Sequence, residues 1–423
     1  MKTYQKASKY FTKIFRKLSV EEFERKLSPK NSEPINLPNN IYVKSELVEK
    51  RWAIINKSDS KSVLLDEQTK MNMVLYERNI ENFIGTVKMP VGLAGPLRIN
   101  GLFAQGDYYV PLATTEAALV ASYSRGAKLI TAAGGCSTAV ISEGISRAPG
   151  FIFENLTKAM LFVNWIVNIT DELKKVAKTT TSHGELSDIK VTIEGNYVYI
   201  NFDYFTGDAS GQNMITIATQ KVCDYIMENS PVKPDKYFIE GNLSGDKKAS
   251  YLSFLGVRGK KVISEIVISR ELVKKYLRTT PEDLITFWNM TTVGGILLGT
   301  TGSNGHFSNG LAALYIACGQ DAACVGESAV GITRMEVNKD GDLYASVSLP
   351  NLIVGTVGGG TGLPSQKACL DILNLYGKNN SMAFAEVAAA IVLAGELSIT
   401  GAITAGDFTR AHKLLSRGNN PVK

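Results

Sequence analysis

The feature that most constrains the fold is a change of composition that occurs and then reverses. The first 80 residues are charged, poor in glycine, and helical or irregular by pattern. From GTVKMPVGLAGPL (85–97) the chain turns rich in glycine, alanine, threonine and small apolar residues. At about Pro149 a different style begins. LTKAMLFVNWIVNITDELKKVAK (156–178) has the spacing of an amphipathic helix, and DIKVTIEGNYVYINFDYF (188–205) alternates as two strands about a Gly-Asn turn. GQNMITIATQKVCDYIMEN (211–229) predicts a further helix, and the Gly/Ala-rich style returns at 240. A segment of about ninety residues with its own strands and helices, flanked by one continuous style, predicts a small α+β domain inserted into a larger one. The expected class is therefore α/β (α+β). Residues 1–80 form a helical N-terminal region, 81–148 and 240–400 the large domain, 149–239 the insert, and 401–423 a C-terminal helix or flap. SPKNSEPINLPNN (28–40) reads as a polar linker.

With 423 residues, 44% of them apolar, the chain can bury cores for two or three domains. Its formal net charge of +6 is mild and spread out, and no nucleic-acid partner is expected. The densest basic stretch is the first thirty residues, which suit either an amphipathic helix on an acidic membrane surface or a solvated helix on its own domain. No apolar run of membrane-spanning length and no signal-peptide pattern is read, so no membrane anchor and a cytoplasmic location are expected. Cys136, Cys223, Cys318, Cys324 and Cys369 are scattered in apolar surroundings and read as reduced core residues. His183, His306 and His412 do not pair at ligand spacing, so no metal site is expected.

Generic motifs say less. GTVGGGTGLP (355–364) matches neither the dinucleotide fingerprint nor the Walker pattern, and reads as a tight turn open to close approach. LAALYIACGQDAACVG (311–326) reads as a buried helix, in which Asp321 would need a partner or a proton. TTEAALVASYSRGAKLI (114–130) reads as a helix capped by Thr114 or Thr115, with Glu116 in its first turn, where the helix dipole favours an acid. Lys247 and Lys248 follow a Gly-Asp turn and by themselves would be solvent lysines.

Six blocks occurring in order change that reading. ENFIGTVKMPVGLAGPL (81–97), VPLATTEAALVASYSRGAK (110–128), TGDASGQNM (206–214), GNLSGDKK (241–248), ALYIACGQDAACVG (313–326) and GTVGGGTGLPSQKACL (355–370) closely resemble the signatures of the 3-hydroxy-3-methylglutaryl-CoA reductase family, in a soluble bacterial or archaeal form. The resemblance implies a large acyl-CoA-binding domain interrupted by a small ferredoxin-like NAD(P)-binding domain without a Rossmann fingerprint. It also implies a homodimer or a higher assembly of dimers with active sites at the subunit interface, and four-electron reduction of the thioester to mevalonate and CoA by two NAD(P)H. By position, Lys247 matches the catalytic lysine that stabilises the alkoxide, and Glu116 the glutamate that donates a proton. Asp321 matches the aspartate that bonds to both, and His412 the histidine that protonates the departing thiolate. Asp208, Gly211, Asn213, Val357 and Gly358 match cofactor contacts, Ser122 and Arg125 CoA contacts, and Arg147, Lys248 and Asn309 contacts to the acyl end.

Three departures bear on specificity. Glu240 stands where the family has a serine, and Met290 where many members have a lysine for the substrate's free carboxylate. If both faced that carboxylate, each change would cost about 1–3 kcal/mol of binding. A different acyl thioester, or a non-catalytic thioester-binding role, is then the alternative to the usual substrate, unless Glu240 pairs with Arg147 or another base. Ser182 stands where NADPH-preferring members usually carry an arginine, so NADPH is the family expectation and NADH is also admitted.

Overall fold

The computed structural model describes residues 9, 11–13, 15–16, 18–30, 33–38, 42–181, 184–256 and 258–409, which fall into two units, Met1–Thr86 and Val87–Lys423. In the first unit helix α1 (Val20–Leu27) opens with a capping box in which Ser19 and Glu22 satisfy each other's backbone N–H groups. Helices α2 (Ser45–Ile55), α3 (Ser58–Leu64) and α4 (Glu67–Asn72) come next, and a small core gathers Val43, Val48, Trp52, Leu65 and Phe83. Arg51 is buried beside it because carbonyls replace water around the guanidinium: Nη1 donates to Phe83 O at 3.1 Å and Nη2 to Pro38 O at 2.9 Å.

The second unit is built on one mixed sheet. Strands β1 (Val91–Gly101) and β2 (Gln105–Ala113) form a hairpin, helix α5 (Leu119–Ala132) succeeds it, and β3 (Cys136–Arg147) comes next. Then come β4 (Gly150–Ile152), α6 (Leu156–Asn168), α7 (Thr170–Lys178), β5 (Glu185–Glu194), β6 (Tyr197–Phe205), α8 (Gln212–Asn229) and β7 (Lys236–Phe238). These lie in the spatial order β7-β4-β6-β5, all antiparallel, which is the β-α-β-β-α-β split arrangement. The rest of the unit is β8 (Gly259–Ile268), α9 (Arg270–Leu277), α10 (Pro281–Leu298), β9 (Gly302–Ser303), α11 (Phe307–Ala317), α12 (Val325–Ser328), β10 (Gly331–Val337), β11 (Leu343–Leu352), α13 (Pro364–Ile372) and α14 (Ser381–Thr404). Strand β3 belongs to both parts of the sheet: Ser137–Gly144 pair with β8, and Ile145–Arg147 pair with β6. The end of β3, the exit of β7 and the start of β8 thus meet at one junction, where a group of charged residues collects.

Two local expectations change. The amphipathic run at 156–178 is two helices, because Ile169 leaves the helical region (φ −116°, ψ 17°), while Phe162 and Ile166 before it and Leu173 and Ala177 after it keep one apolar stripe. The expectation that no run reaches membrane-spanning length is also corrected. Helix α14 is long and apolar enough, yet nearly all of it is buried inside the protein, and it serves as the core helix.

Helix α5 crosses α14 at backbone contact. A Cβ on Gly126 would lie 1.8 Å from Ala394 O, so only glycine admits this approach. Gly126→Ala is expected to force the helices apart and lose about 2–3 kcal/mol of stability, read as a lower denaturant midpoint at an unchanged slope.

Candidate active site

The segment leaving β7 turns back on itself through three left-handed residues, Asn242 (φ 67°), Gly245 (φ 75°) and Lys247 (φ 59°). Asparagine and glycine accept this conformation readily; for a lysine it costs about 1–2 kcal/mol. The surroundings hold it there. The Lys247 backbone N–H donates to Glu327 Oε1 at 3.1 Å, and buried Arg258 binds Glu327 at 2.6 and 2.5 Å through Nη1. Arg258 Nη2 lies 3.0 Å from Asp246 Oδ1, and Arg147 Nη1 lies 3.1 Å from both Asp246 Oδ2 and Glu240 Oε2. Glu240 also accepts the Asn242 N–H at 2.6 Å and the Ser244 hydroxyl at 2.9 Å. The acid that stands where the family has serine is therefore neutralised inside the protein. Lys248 is exposed, its Nζ donating to Asp246 O at 3.0 Å.

Asp321 does not sit within a buried helix. Helix α11 ends at Ala317 in a Schellman motif, with Gly319 left-handed (φ 70°) and the Gln320 N–H donating to Tyr315 O at 2.9 Å. Asp321 lies beyond this stop, caps a short 3₁₀ turn through the Ala323 N–H at 3.0 Å, and pairs with Lys247 Nζ at 3.0 Å. The lysine and aspartate side chains are 45% and 42% exposed, so the pair is open to a ligand. The hydrogen bond it donates to Asp321 holds the ammonium above its ordinary range, with burial opposing. Burial pulls Asp321 upward, but Lys247 and the Ala323 N–H outweigh it and leave the carboxyl below the usual value.

Glu116 also sits differently from the sequence expectation. Thr114 Oγ1 accepts the Glu116 N–H at 3.0 Å in a tight turn, and the helix begins only at Leu119, after left-handed Ala118. The glutamate is therefore exposed ahead of the helix rather than in its first turn. Asn309, on the first turns of α11, donates to its two carboxylate oxygens at 3.4 and 3.3 Å. Both line a cavity of about 600 Å³ with Ser122, Tyr123, Arg125 and His306. Ser122 Oγ is 2.9 Å from Ser398 Oγ, and Arg125 Nε donates to that same hydroxyl at 3.0 Å. No hydrogen bond or ion pair among the described residues joins Glu116 to Lys247 or Asp321.

A second cavity, of about 270 Å³, joins Asp321 to Val357, Gly358, Gly359, Gly360 and Ser210. Gly358 (φ 72°) and Gly359 (φ 53°) have open space where side chains would stand, so the turn presents bare backbone. Gly211 (φ 78°) caps α8, and Asn213 is exposed on its first turn. The Asp208 carboxylate faces the chain itself, accepting the N–H groups of Asn379 at 2.7 Å and Ser381 at 3.2 Å. Met290 is 63% exposed on α10 and lines none of these cavities. Ser182 and His412 lie outside the described residues.

The family model for hydroxymethylglutaryl-coenzyme A reductase matches residues 47–417. This chain belongs to that family. It is 46% identical over 364 residues to the 3-hydroxy-3-methylglutaryl-coenzyme A reductase of Aeropyrum pernix, covering 84% of this chain and 85% of the relative. It is 42% identical over 360 residues to that of Methanocaldococcus jannaschii, covering 84% and 87%. The fold is similar to the class II 3-hydroxy-3-methylglutaryl-CoA reductase of Streptococcus pneumoniae bound to NADPH, with TM-score 0.65 and 20% identity over 85% of this chain and 97% of that one. Like the family, the chain is an oxidoreductase with a mixed α/β fold.

Three residues of this reductase's site region escaped the sequence reading: Arg258, Glu327 and His306. His306 Nδ1 lies 3.1 Å from Glu396 Oε1 and its ring stacks on Tyr123, with centroids 5.5 Å apart. The only sequence signal was its place three residues before Asn309 in GHFSNG. Asp321→Asn removes the carboxylate that stabilises the Lys247 ammonium, so the lysine's pKa falls. The alkaline limb of the pH–rate profile is expected to move to lower pH, with the acid limb less affected.

Proposed function

We propose that the chain reduces 3-hydroxy-3-methylglutaryl-CoA to mevalonate and CoA, with NADPH as the reductant. The observation that carries this reading is the Lys247–Asp321 ion pair, held in the signature loop of a family member and exposed beside the glycine turn. The bare backbone at Gly358 and Gly359, the glycine-capped start of α8 and exposed Asn213 suit a phosphate-bearing dinucleotide, with Val357 lining the same cavity. When bound, NADPH supplies the hydride for each of the two reductions. Lys247 stabilises the alkoxide that each reduction creates at the former carbonyl oxygen, and Asp321 keeps the lysine charged. Glu116, oriented by Asn309, donates the proton that turns the alkoxide into an alcohol. His412 protonates the departing thiolate of CoA. In this reading Ser122 and Arg125, which line the larger cavity, bind the CoA portion, and Arg147 and Lys248 serve the acyl end. Because Glu240 is paired with Arg147, its added charge is compensated, which favours the family's ordinary dicarboxylic substrate.

The site is completed between two copies of the chain. Glu116 and Asn309 are supported apart from Lys247 and Asp321, and Met290 lines neither of the two cavities described above. Along the same helix as Met290 the surface is apolar: Val293, Ile296, Leu297 and Leu298 are 58, 74, 84 and 79% exposed. A patch of this kind is normally covered by a partner, here proposed to be a second copy. Leu297→Asp is expected to shift the protein toward monomer by analytical ultracentrifugation and to lower turnover with it. Lys247→Ala is expected to cut turnover of 3-hydroxy-3-methylglutaryl-CoA by a factor of about 10²–10³ or more while thioester binding persists. Unchanged turnover, assayed with NADPH and with NADH, would overturn the role of Lys247.

A further inference from the structure

Glu327 and Arg258 are deeply buried charged residues near Lys247, and neither has a role in the reaction proposed above. Their side chains are 0% and 3% exposed. The Glu327 carboxylate has two tasks at once. It takes both short contacts from Arg258 Nη1, and its Oε1 accepts the backbone N–H of Lys247 at 3.1 Å. On the other side, a Cβ on Gly326 would stand 3.0 Å from Lys247 O, so the residue preceding Glu327 leaves little more than the room that carbonyl needs. The peptide unit of a left-handed lysine is thus gripped at its N–H and confined at its carbonyl by consecutive residues of α12. Arg258 extends the grip. Its Nη2 lies 3.0 Å from Asp246 Oδ1, one residue before Lys247, and donates at 3.0 Å to Gln212 Oε1, the first residue of α8.

We propose that Glu327, backed by Arg258, is a positioning residue for Lys247, fixing the strained backbone from which the lysine ammonium reaches Asp321. The inference rests on the catalytic role proposed for Lys247. A conformation that an unconstrained lysine leaves readily needs an outside hold, and this carboxylate is the group that bonds to the lysine's own N–H. Since Arg258 also holds Gln212, the same buried pair ties the lysine loop to the start of the helix proposed to receive the reductant. Without the hold, Lys247 relaxes away from Asp321, the ammonium loses its carboxylate partner, and its pKa returns toward the ordinary value.

The test compares Glu327→Asp, Glu327→Gln and Lys247→Ala in the full-length protein with 3-hydroxy-3-methylglutaryl-CoA and NADPH. Aspartate keeps a negative charge for Arg258 but draws the carboxylate back from the Lys247 N–H. Glutamine keeps the length and removes the charge. If glutamine leaves Arg258 unpaired and the variant does not fold, the aspartate variant decides. The expected result for a folded Glu327→Asp protein is a kcat at least tenfold lower, KM values for thioester and NADPH within about threefold, and an alkaline limb moved to lower pH. A role in stability alone would lower Tm without moving that limb. A folded Glu327→Asp variant with wild-type kcat and pH profile, beside an inactive Lys247→Ala, overturns the positioning role and leaves the assignment of Lys247 standing. Full activity in Lys247→Ala removes the assignment itself, and the positioning role with it.

Discussion

Two carboxylates on helix α14 set the frame for the larger unit. Glu386 and Glu396 are essentially without solvent contact, and burying such groups costs several kcal/mol unless donors replace their water. Glu386 is met by the N–H groups of Leu102, Phe103 and Ala104 at 3.2, 2.9 and 2.7 Å, all at the turn of the β1–β2 hairpin. Glu396 is met by the N–H groups of Gly305 and His306 at 2.7 and 2.8 Å, by His306 Nδ1, and by the Thr333 hydroxyl at 2.6 Å. Burial alone would raise Glu396, but these donors, His306 foremost, bring it below the ordinary glutamate range. A hairpin, a helix start and strand β10 are thereby fixed to one core helix. Asn309 rides on that helix start, so the place where Glu116 finds its partner depends on a carboxylate that touches neither.

The lysine loop is fixed by a different device. Glu240, Asp246, Asp321 and Glu327 are paired with Arg147, Arg258 and Lys247, and Lys248, bound to the Asp246 carbonyl, brings the bases to four, at the junction where β3 passes from one part of the sheet to the other. Balance is what lets so many charges sit together under partial burial. Removing one member leaves its partner unpaired, which costs more than the pair contributes. Such a network holds geometry more than it adds stability, and geometry is what a strained Lys247 needs.

The sequence made the architecture legible because alternation and apolar spacing survive without tertiary help, as in β5, β6 and α8. It was also enough to find Asp321 and to demand a partner for it, since an acid in an apolar run is a physical anomaly wherever the run goes. It misplaced that acid because Gly319 was read as one more small residue of a helix, whereas its left-handed conformation ends the helix and leaves Asp321 outside it. Thr114 misled in the same way: a threonine before an apolar run can cap a helix or close a two-residue turn, and the choice depends on the backbone at Ala118. The pairing of Glu240 with Arg147, 93 positions away, was one of the alternatives the sequence left open, and the fold supplies it. Arg258 and Glu327 were invisible for a related reason. They lie 69 positions apart, and nothing in the sequence pairs them until the fold brings them together.

The separation of the two candidate catalytic groups has a chemical logic. A carboxylic acid that must deliver a proton is poorly served by a permanent ammonium neighbour, which favours its ionised form. A lysine that must remain charged beside a developing oxyanion benefits from a carboxylate neighbour. Among the described residues of one chain, Lys247 is paired with an aspartate just beyond a helix end, and Glu116 with the neutral amide of Asn309. Each pairing is anchored to its own buried carboxylate, Glu327 behind the lysine and Glu396 behind the helix that carries the amide. The two are supported separately within one chain, and in the assembly proposed above they act together on one substrate oxygen.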